Sequence, residues 1–217
     1  ALEALRSSAS RASWVAQRRM RGEEVSFYAV CLDSRLVAFS AYSSPWKFRG
    51  GAGYAFETLA PAIHDRLLAM AETLAQGLVH RGQFACDVII DADGTPWLLE
   101  CNPRATSGVH LFERRGILAE AMMGRREAPA LAADARPTHV GPALWVYGLP
   151  AALGRGEIGQ WNRRRRQSAD VISAPHDHAP VLGALVDAFR LSLIAASRGL
   201  SPTAASTSDI EWNGEDL

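Results

Sequence analysis

The stretch Gly82–Arg104, GQFACDVIIDADGTPWLLECNPR, decides how this chain folds. Two runs rich in β-branched and aromatic residues, Phe84–Ile90 and Pro96–Cys101, flank Asp91-Ala92-Asp93-Gly94 and read as a β-hairpin. Residues two apart in a strand share a face, so Glu100 and Asn102 point one way while Cys101 points into the other layer. A type I′ turn at Asp93-Gly94 pairs Asp87 with Glu100. A four-residue loop over 91–94 instead places Asp87 opposite Leu98. Both registers keep Asp87 on the face of Glu100 and Asn102, whereas a three-residue loop with a bulge flips it. Carboxylates opposed across a ladder repel, and a cation between them removes the conflict. Asp, Glu and an Asn carbonyl are hard oxygen donors of the kind that suit Mg²⁺. The bland alternative is a pair of solvated acids on an outer sheet face. Beyond the strand, Asn102-Pro103-Arg104 ends it sharply. Arg104 lies close enough to clamp a phosphate or acyl-phosphate oxygen with its planar fork.

Working outward, Val25–Leu32 and Leu36–Tyr42 predict a second hairpin about Asp33-Ser34-Arg35. Trp14–Met20 reads as a short strand entering a turn at Arg21-Gly22, after a polar helix or lead-in over 1–13. Ser43–Gly53 reads as a loop from its Pro and Gly content. Helical spacing of Ile63, Leu67, Met70, Ala71, Leu74 and Leu78 predicts a helix over about 57–81, stopped by Gly82. Further on come a helix near Leu111–Met123, a connection over about 125–141, a short strand at Leu144–Tyr147, and a helix Val181–Arg198 ended by Gly199. Residues from Ser201 onward read as a tail. Strands that arrive in hairpins imply an α+β fold, an antiparallel or mixed sheet with packed helices.

Composition sets the outer bounds. Of 217 residues, 48% are hydrophobic and 21% charged, the balance of a chain that buries a core. Twenty-three basic residues offset 23 acidic ones, which argues against a nucleic-acid binder or a membrane-surface binder. No run reads as the roughly 20 apolar residues of a membrane span. Lys47 is the single lysine, so lysine-dependent chemistry rests on it or is absent. Cys31, Cys86 and Cys101 read as buried free thiols of a reducing cytoplasm.

The segment Gly82–Arg104 resembles the "acidic residue, hairpin, E-x-N-x-R" signature of the ATP-grasp ligases. The resemblance implies that Asp87, Glu100 and Asn102 bind Mg²⁺ bridging ATP phosphates, with Mn²⁺ as an alternative ion. It also puts Arg104 near the transferred phosphate. Upstream, WVAQRRMRGEEVS over 14–26 is similar to the family's adenine-contacting hinge strand and its G-x-E turn. On that likeness Gln17, Arg18 and Met20 line the adenine pocket and Glu24 lies near nucleotide or substrate. Gln17 stands where the family usually has Glu. Glu100–Gly108 is most similar to uncharacterised carbamoyl-phosphate-synthase-like members.

What the resemblance implies is the C-terminal half of an ATP-grasp enzyme. Residues 1–44 would be the remainder of the central hinge subdomain, 45–130 the subdomain with the metal hairpin, 131–200 an extension and 201–217 a tail. The family's ATP-binding lysine and glycine-rich phosphate loop precede the hinge, so Lys47 is not that lysine by order. The implied activity joins a carboxylate and an amine through an acyl-phosphate, with a missing N-terminal half or partner chain completing the machine. Homo-oligomers are compatible with it; nucleic acid and membrane are not expected partners. Lys47 and Arg49, beside Gly50-Gly51-Ala52-Gly53, could close over phosphates as a mobile cationic loop, or form an ordinary exposed loop. The alternative reading is a catalytically incompetent remnant that docks a partner. Arg163–Arg166 reads as a solvated face, His176-Asp177-His178 as a surface loop, and His110 as either a site residue or packing.

Overall fold

A computed structural model of the chain describes residues 17–48, 52–77, 80–112, 116–173, 176–177, 179–200 and 204–205. In chain order the elements are β1 (Glu23–Leu32), β2 (Arg35–Lys47), β3 (Gly53–Thr58), α1 (Pro61–Gly77), β4 (Gly82–Ile90) and β5 (Pro96–Asn102). A 3₁₀ turn (Ser107–Leu111), α2 (Ile117–Met122), β6 (Ala130–Leu131) and β7 (Thr138–His139) follow. Next, α3 (Gly141–Ala143) runs through a π turn (Leu144–Gly148) into α4 (Leu149–Arg155), before α5 (Ile158–Gln167), β8 (Ala169–Asp170) and α6 (Ala179–Arg198). The strands form one sheet in the order β5-β4-β1-β2-β3-β7-β8, with β6 beside β2. Its pairings are antiparallel except β2–β6 and β7–β8, which makes the sheet mixed and the fold α+β.

Both expected hairpins form. Asp33 and Ser34 make a two-residue turn with φ of 52° and 60°, the left-handed pair of a type I′ turn. Arg81 holds Asp33 at 3.0 Å, and its guanidinium keeps that carboxyl below the usual range. One face of the sheet buries Phe27, Phe39, Phe84 and Val88 under Leu67, Ala71 and Ala75 of α1. The spacing of those three helix residues is the 3.6-residue stripe that predicted α1. On the opposite face, Tyr28, Val30, Ala38 and Ala85 pack against α2 and β6.

Several expectations change. Residues 17–20 adopt no regular structure, and residues 1–16 lie outside the described ones. The loop expected over 43–53 is largely strand, because β2 continues to Lys47 and buries Trp46 at 3% exposure. Pro45 fits there because the β2–β3 register breaks between Ser43 and Trp46, so its missing N–H leaves no rung unmade. Gly82 opens β4 rather than stopping a helix, and α1 already ends at Gly77. Leu144–Tyr147 is a π turn, not a strand; Leu144 and Gly148, four apart, are buried together while Trp145 to Tyr147 are exposed. Sequence reading assigns no element to α4 or α5; Arg163–Arg166 fall on α5, where Arg164 pairs with Glu57 at 2.6 Å. Cys101 is exposed, because β5 is the sheet edge. Finally, α6 is long and apolar enough to cross a membrane by length and composition alone, with Asp187 and Arg190 at its middle. The tail from 206 lies outside the described residues, as does His178.

Leu67 is fully buried at the centre of the α1–sheet contact. Leu67→Ala should cost about 2–5 kcal/mol of stability. Urea unfolding followed by circular dichroism would show it as a lowered midpoint with native helix content retained.

Candidate functional site

Turn chemistry sets the site's register. In the β4–β5 loop the Asp91 carboxylate accepts from the Asp93 and Thr95 N–H groups at 3.0 and 2.8 Å, and from the Trp97 indole at 2.8 Å. Those bonds hold its carboxyl below the usual range, the Trp97 bond foremost. The loop therefore closes over Asp91–Thr95, with Ile90 opposite Pro96, and not as the two-residue turn at Asp93-Gly94. Gly94, at φ 76°, takes the left-handed position. That register, continued, would set Asp87 against Leu99 on the wrong face. Between Val88 and Asp87 the pairing slips by one residue, Leu99 bulges, and Asp87 lands opposite Glu100.

The same device acts in the first hairpin. There the pairing shifts between Cys31 and Val30, which sets Ser26 opposite Tyr42 rather than Ala41. Because Ser26 also faces Asp87 on β4, one polar row crosses four strands: Tyr42, Ser26, Asp87, Glu100. A second row, Ser40, Tyr28, Ala85 and Asn102, runs beside it.

Hydrogen bonds tie the rows together. Ser26 Oγ donates to Asp87 Oδ1 at 2.6 Å, and Asn102 Nδ2 donates to Glu100 Oε1 at 2.9 Å. Burial raises the Asp87 carboxyl above its usual range, Ser26 opposes that rise, and Glu100 and Glu24 add to it. Tyr42 OH lies 3.3 Å from Thr106 Oγ1, and burial pushes its phenol up. Ser40 Oγ donates to the Gly108 carbonyl at 2.9 Å, anchoring the 3₁₀ turn to the sheet. Gly108 is required at this crossing, since a Cβ there would stand 2.5 Å from Tyr28 Cβ and 2.7 Å from Ser40 Oγ.

Over the rows opens a cavity of about 390 Å³ whose wall includes Glu24, Ser26, Tyr42, Lys47, Asp87 and Glu100. Lys47 Nζ pairs with Glu24 Oε2 at 2.9 Å. Of the residues expected from the sequence, Glu24, Lys47, Asp87 and Glu100 thus share one cavity. Asn102 reaches it through Glu100. Gln17, Arg18 and Met20 lie outside its lining, as does Arg104, which is exposed and donates to the carbonyl of Ala105. Arg49 lies outside the described residues. His110 stacks on Phe56, itself a lining residue, at 6.1 Å between ring centroids. Sequence reading missed Ser26, Tyr42, Ser44 and Ser107. The available signal was a polar residue within each apolar strand, but the bulge that aligns Ser26 with Tyr42 has no sequence mark.

Chemically the row is a buried-to-exposed pair of carboxylates with hydroxyl and amide partners and one ammonium group nearby. Two hard carboxylates that repel in the absence of a cation are a donor set for a divalent ion completed by other oxygens. Among the described residues, no group of three or more His, Cys, Asp or Glu is arranged to hold a metal by itself.

No family model matches the chain, and no curated protein matches it. Solved structures of ATP-grasp proteins align with part of it. An L-amino acid ligase from Bacillus licheniformis is 17% identical over 40% of this chain and 23% of that one, with a TM-score of 0.30. A carboxyaminoimidazole ribonucleotide synthase from Aspergillus clavatus, complexed with ATP, is 12% identical over 53% and 32%, with a TM-score of 0.41. The biotin carboxylase domain of Hydrogenobacter thermophilus 2-oxoglutarate carboxylase, complexed with MgADP and bicarbonate, is 12% identical over 53% and 28%, at 0.40. The chain spans a third or less of the length of these solved chains. Likeness this partial assigns no activity.

The folded state holds the Asp87 proton more tightly than the unfolded chain does. Asp87 therefore contributes stability that is fully present below the ordinary carboxylate range and lost as pH rises through its raised pKa. Asp87→Asn, which keeps an acceptor for Ser26, should melt at a higher temperature than the parent at pH 7. The difference should shrink to nothing on acidification below the carboxylate range. Thermal melts at a series of pH values would test this.

Proposed function

We propose that the chain is the metal- and phosphate-binding part of an ATP- and Mg²⁺-dependent ligase of the ATP-grasp type. The observation that carries this reading is the opposition of Asp87 and Glu100, inside one cavity with Lys47. Asp87 and Glu100 would hold the ion, with Asn102 orienting Glu100; phosphate oxygens would complete the shell. Mg²⁺ suits two carboxylates plus phosphates, and Mn²⁺ accepts the same donors. Such an ion neutralises charge on the phosphates during transfer. Lys47, held by Glu24, would turn to a phosphate oxygen, and Arg104 and Arg49 would serve the transferred phosphoryl group. The hinge role of Gln17, Arg18 and Met20 belongs to the same proposal, as do the subdomain limits at residues 44, 130 and 200. The substrate class is a carboxylate activated as an acyl-phosphate and an amine that displaces phosphate. The rest of the machine would come from an N-terminal half or a partner chain, in the cytoplasm.

A second reading is a partner-docking module without turnover. It is favoured by the apolar edge strand, where Trp97, Leu98 and Leu99 are 39%, 39% and 37% exposed.

Calorimetric titration of the full chain with Mg-ATP separates the two. The ligase reading expects saturable binding that needs the divalent ion and weakens by about tenfold or more in Glu100→Gln, whose melting temperature is no lower than the parent's. No binding below millimolar favours the docking module, and Mg-ATP binding indifferent to Glu100→Gln removes the assigned site.

A further inference from the structure

Cys86 and Cys101 stand directly opposite each other across the β4–β5 ladder. They lie between the Asp87–Glu100 and Ala85–Asn102 rungs and project from the other face of the sheet. Opposed residues of an antiparallel pair have Cα atoms about 4.5–5.5 Å apart, inside the span of about 4.4–6.8 Å that a disulfide bridges. Burial first, and the neighbouring Cys101 thiol second, push the Cys86 thiol up. Their access to solvent differs sharply. Cys86 is 1% exposed within the α1-side core, whereas Cys101 is exposed on the edge strand. The third thiol, Cys31, is buried and directed at the Ala75 carbonyl, with no cysteine in its rung.

We propose that Cys86 and Cys101 form an oxidation site for low-molecular-mass disulfides, closing a cross-strand bond directly behind the polar row. Accessibility sets the order. The Cys101 sulfur bonds to one sulfur of the small disulfide, whose S–S bond breaks, and the departing thiol leaves with the Cys101 proton. The Cys86 sulfur then bonds to Cys101 and displaces the second small thiol, which takes the Cys86 proton. Two protein thiols are oxidised, one small disulfide is reduced to two thiols, and no further oxidant is consumed. The bond pins β5, which pairs in the sheet with β4, at the rung adjoining Asp87–Glu100. Oxidation therefore holds the site's edge strand in register, whether or not the row binds nucleotide.

Incubation of the full chain with oxidised glutathione, alkylation of remaining thiols and mass spectrometry test the proposal. Digestion at aspartates cuts the Asp91–Asp93 loop and separates the two cysteines into different peptides. The expected product has lost two hydrogens, joins the Cys86 and Cys101 peptides and retains one alkylatable thiol at Cys31. Cys31→Ser should react as the parent does, and Cys86→Ser should stop at a glutathione adduct on Cys101. A parent chain that stops at that adduct, links two copies through Cys101, or does not react overturns the proposal. The mapping of the parent chain decides the matter alone should Cys86→Ser not fold.

Discussion

The opposition of Asp87 and Glu100 is the constraint around which this structure is arranged. It sets two acids on adjacent strands, one of them half-buried, at a place where repulsion works against the fold. The surroundings temper that conflict: Ser26 donates to one carboxylate and Asn102 to the other. The Asp87 carboxyl still stands above its usual range, through burial first and through Glu100 and Glu24 after it. A carboxylate shifted by burial and by a second acid, in the wall of a cavity, marks a candidate functional site.

Register is the means by which the fold imposes this pairing. Each hairpin begins at its turn in a register that would put the polar residues on the wrong face, and each is corrected by a one-residue slip. In the first, the shift beside Val30 brings Tyr42 opposite Ser26; in the second, the bulge at Leu99 brings Glu100 opposite Asp87. Since a slip of one residue exchanges the faces of a strand, two bulges suffice to assemble a continuous polar row. The row then has a floor, because α1 covers the opposite face with Leu67, Ala71 and Ala75. Its upper wall comes from the 3₁₀ turn, held to Ser40 through the Gly108 carbonyl.

The exposed surfaces follow from the same layout. β5 is an edge strand with Trp97, Leu98, Leu99 and Cys101 open to solvent, an unusual composition for an edge that no element covers among the described residues. The edge therefore combines a solvent-open thiol with exposed apolar side chains, and it carries one of the two acids of the site. Far from it, α6 contacts the body through a narrow face, leaving Leu182, Val186 and Phe189 outward.

Much of this was legible in the residues alone. The β-branched and aromatic content of Phe84–Ile90, the loop at Asp91–Gly94 and the E-x-N-x-R run were enough to state a hairpin with Asp87, Glu100 and Asn102 on one face, and both hairpins together implied an α+β fold. Helical spacing located α1, since a single apolar stripe is a local property. Local pattern could not state the loop size, which depends on Asp91 capturing three donors, nor the compensating bulge, which depends on which face finds a core to pack against. It also could not recruit Ser26 or Tyr42 to the acids, because they are 61 and 45 residues from Asp87 and are brought to it only by strand pairing. The residue types that make the site chemically capable are thus written in the chain. Their convergence was decided by tertiary structure, because side chains far apart in sequence meet only when the register of every intervening strand is set by burial.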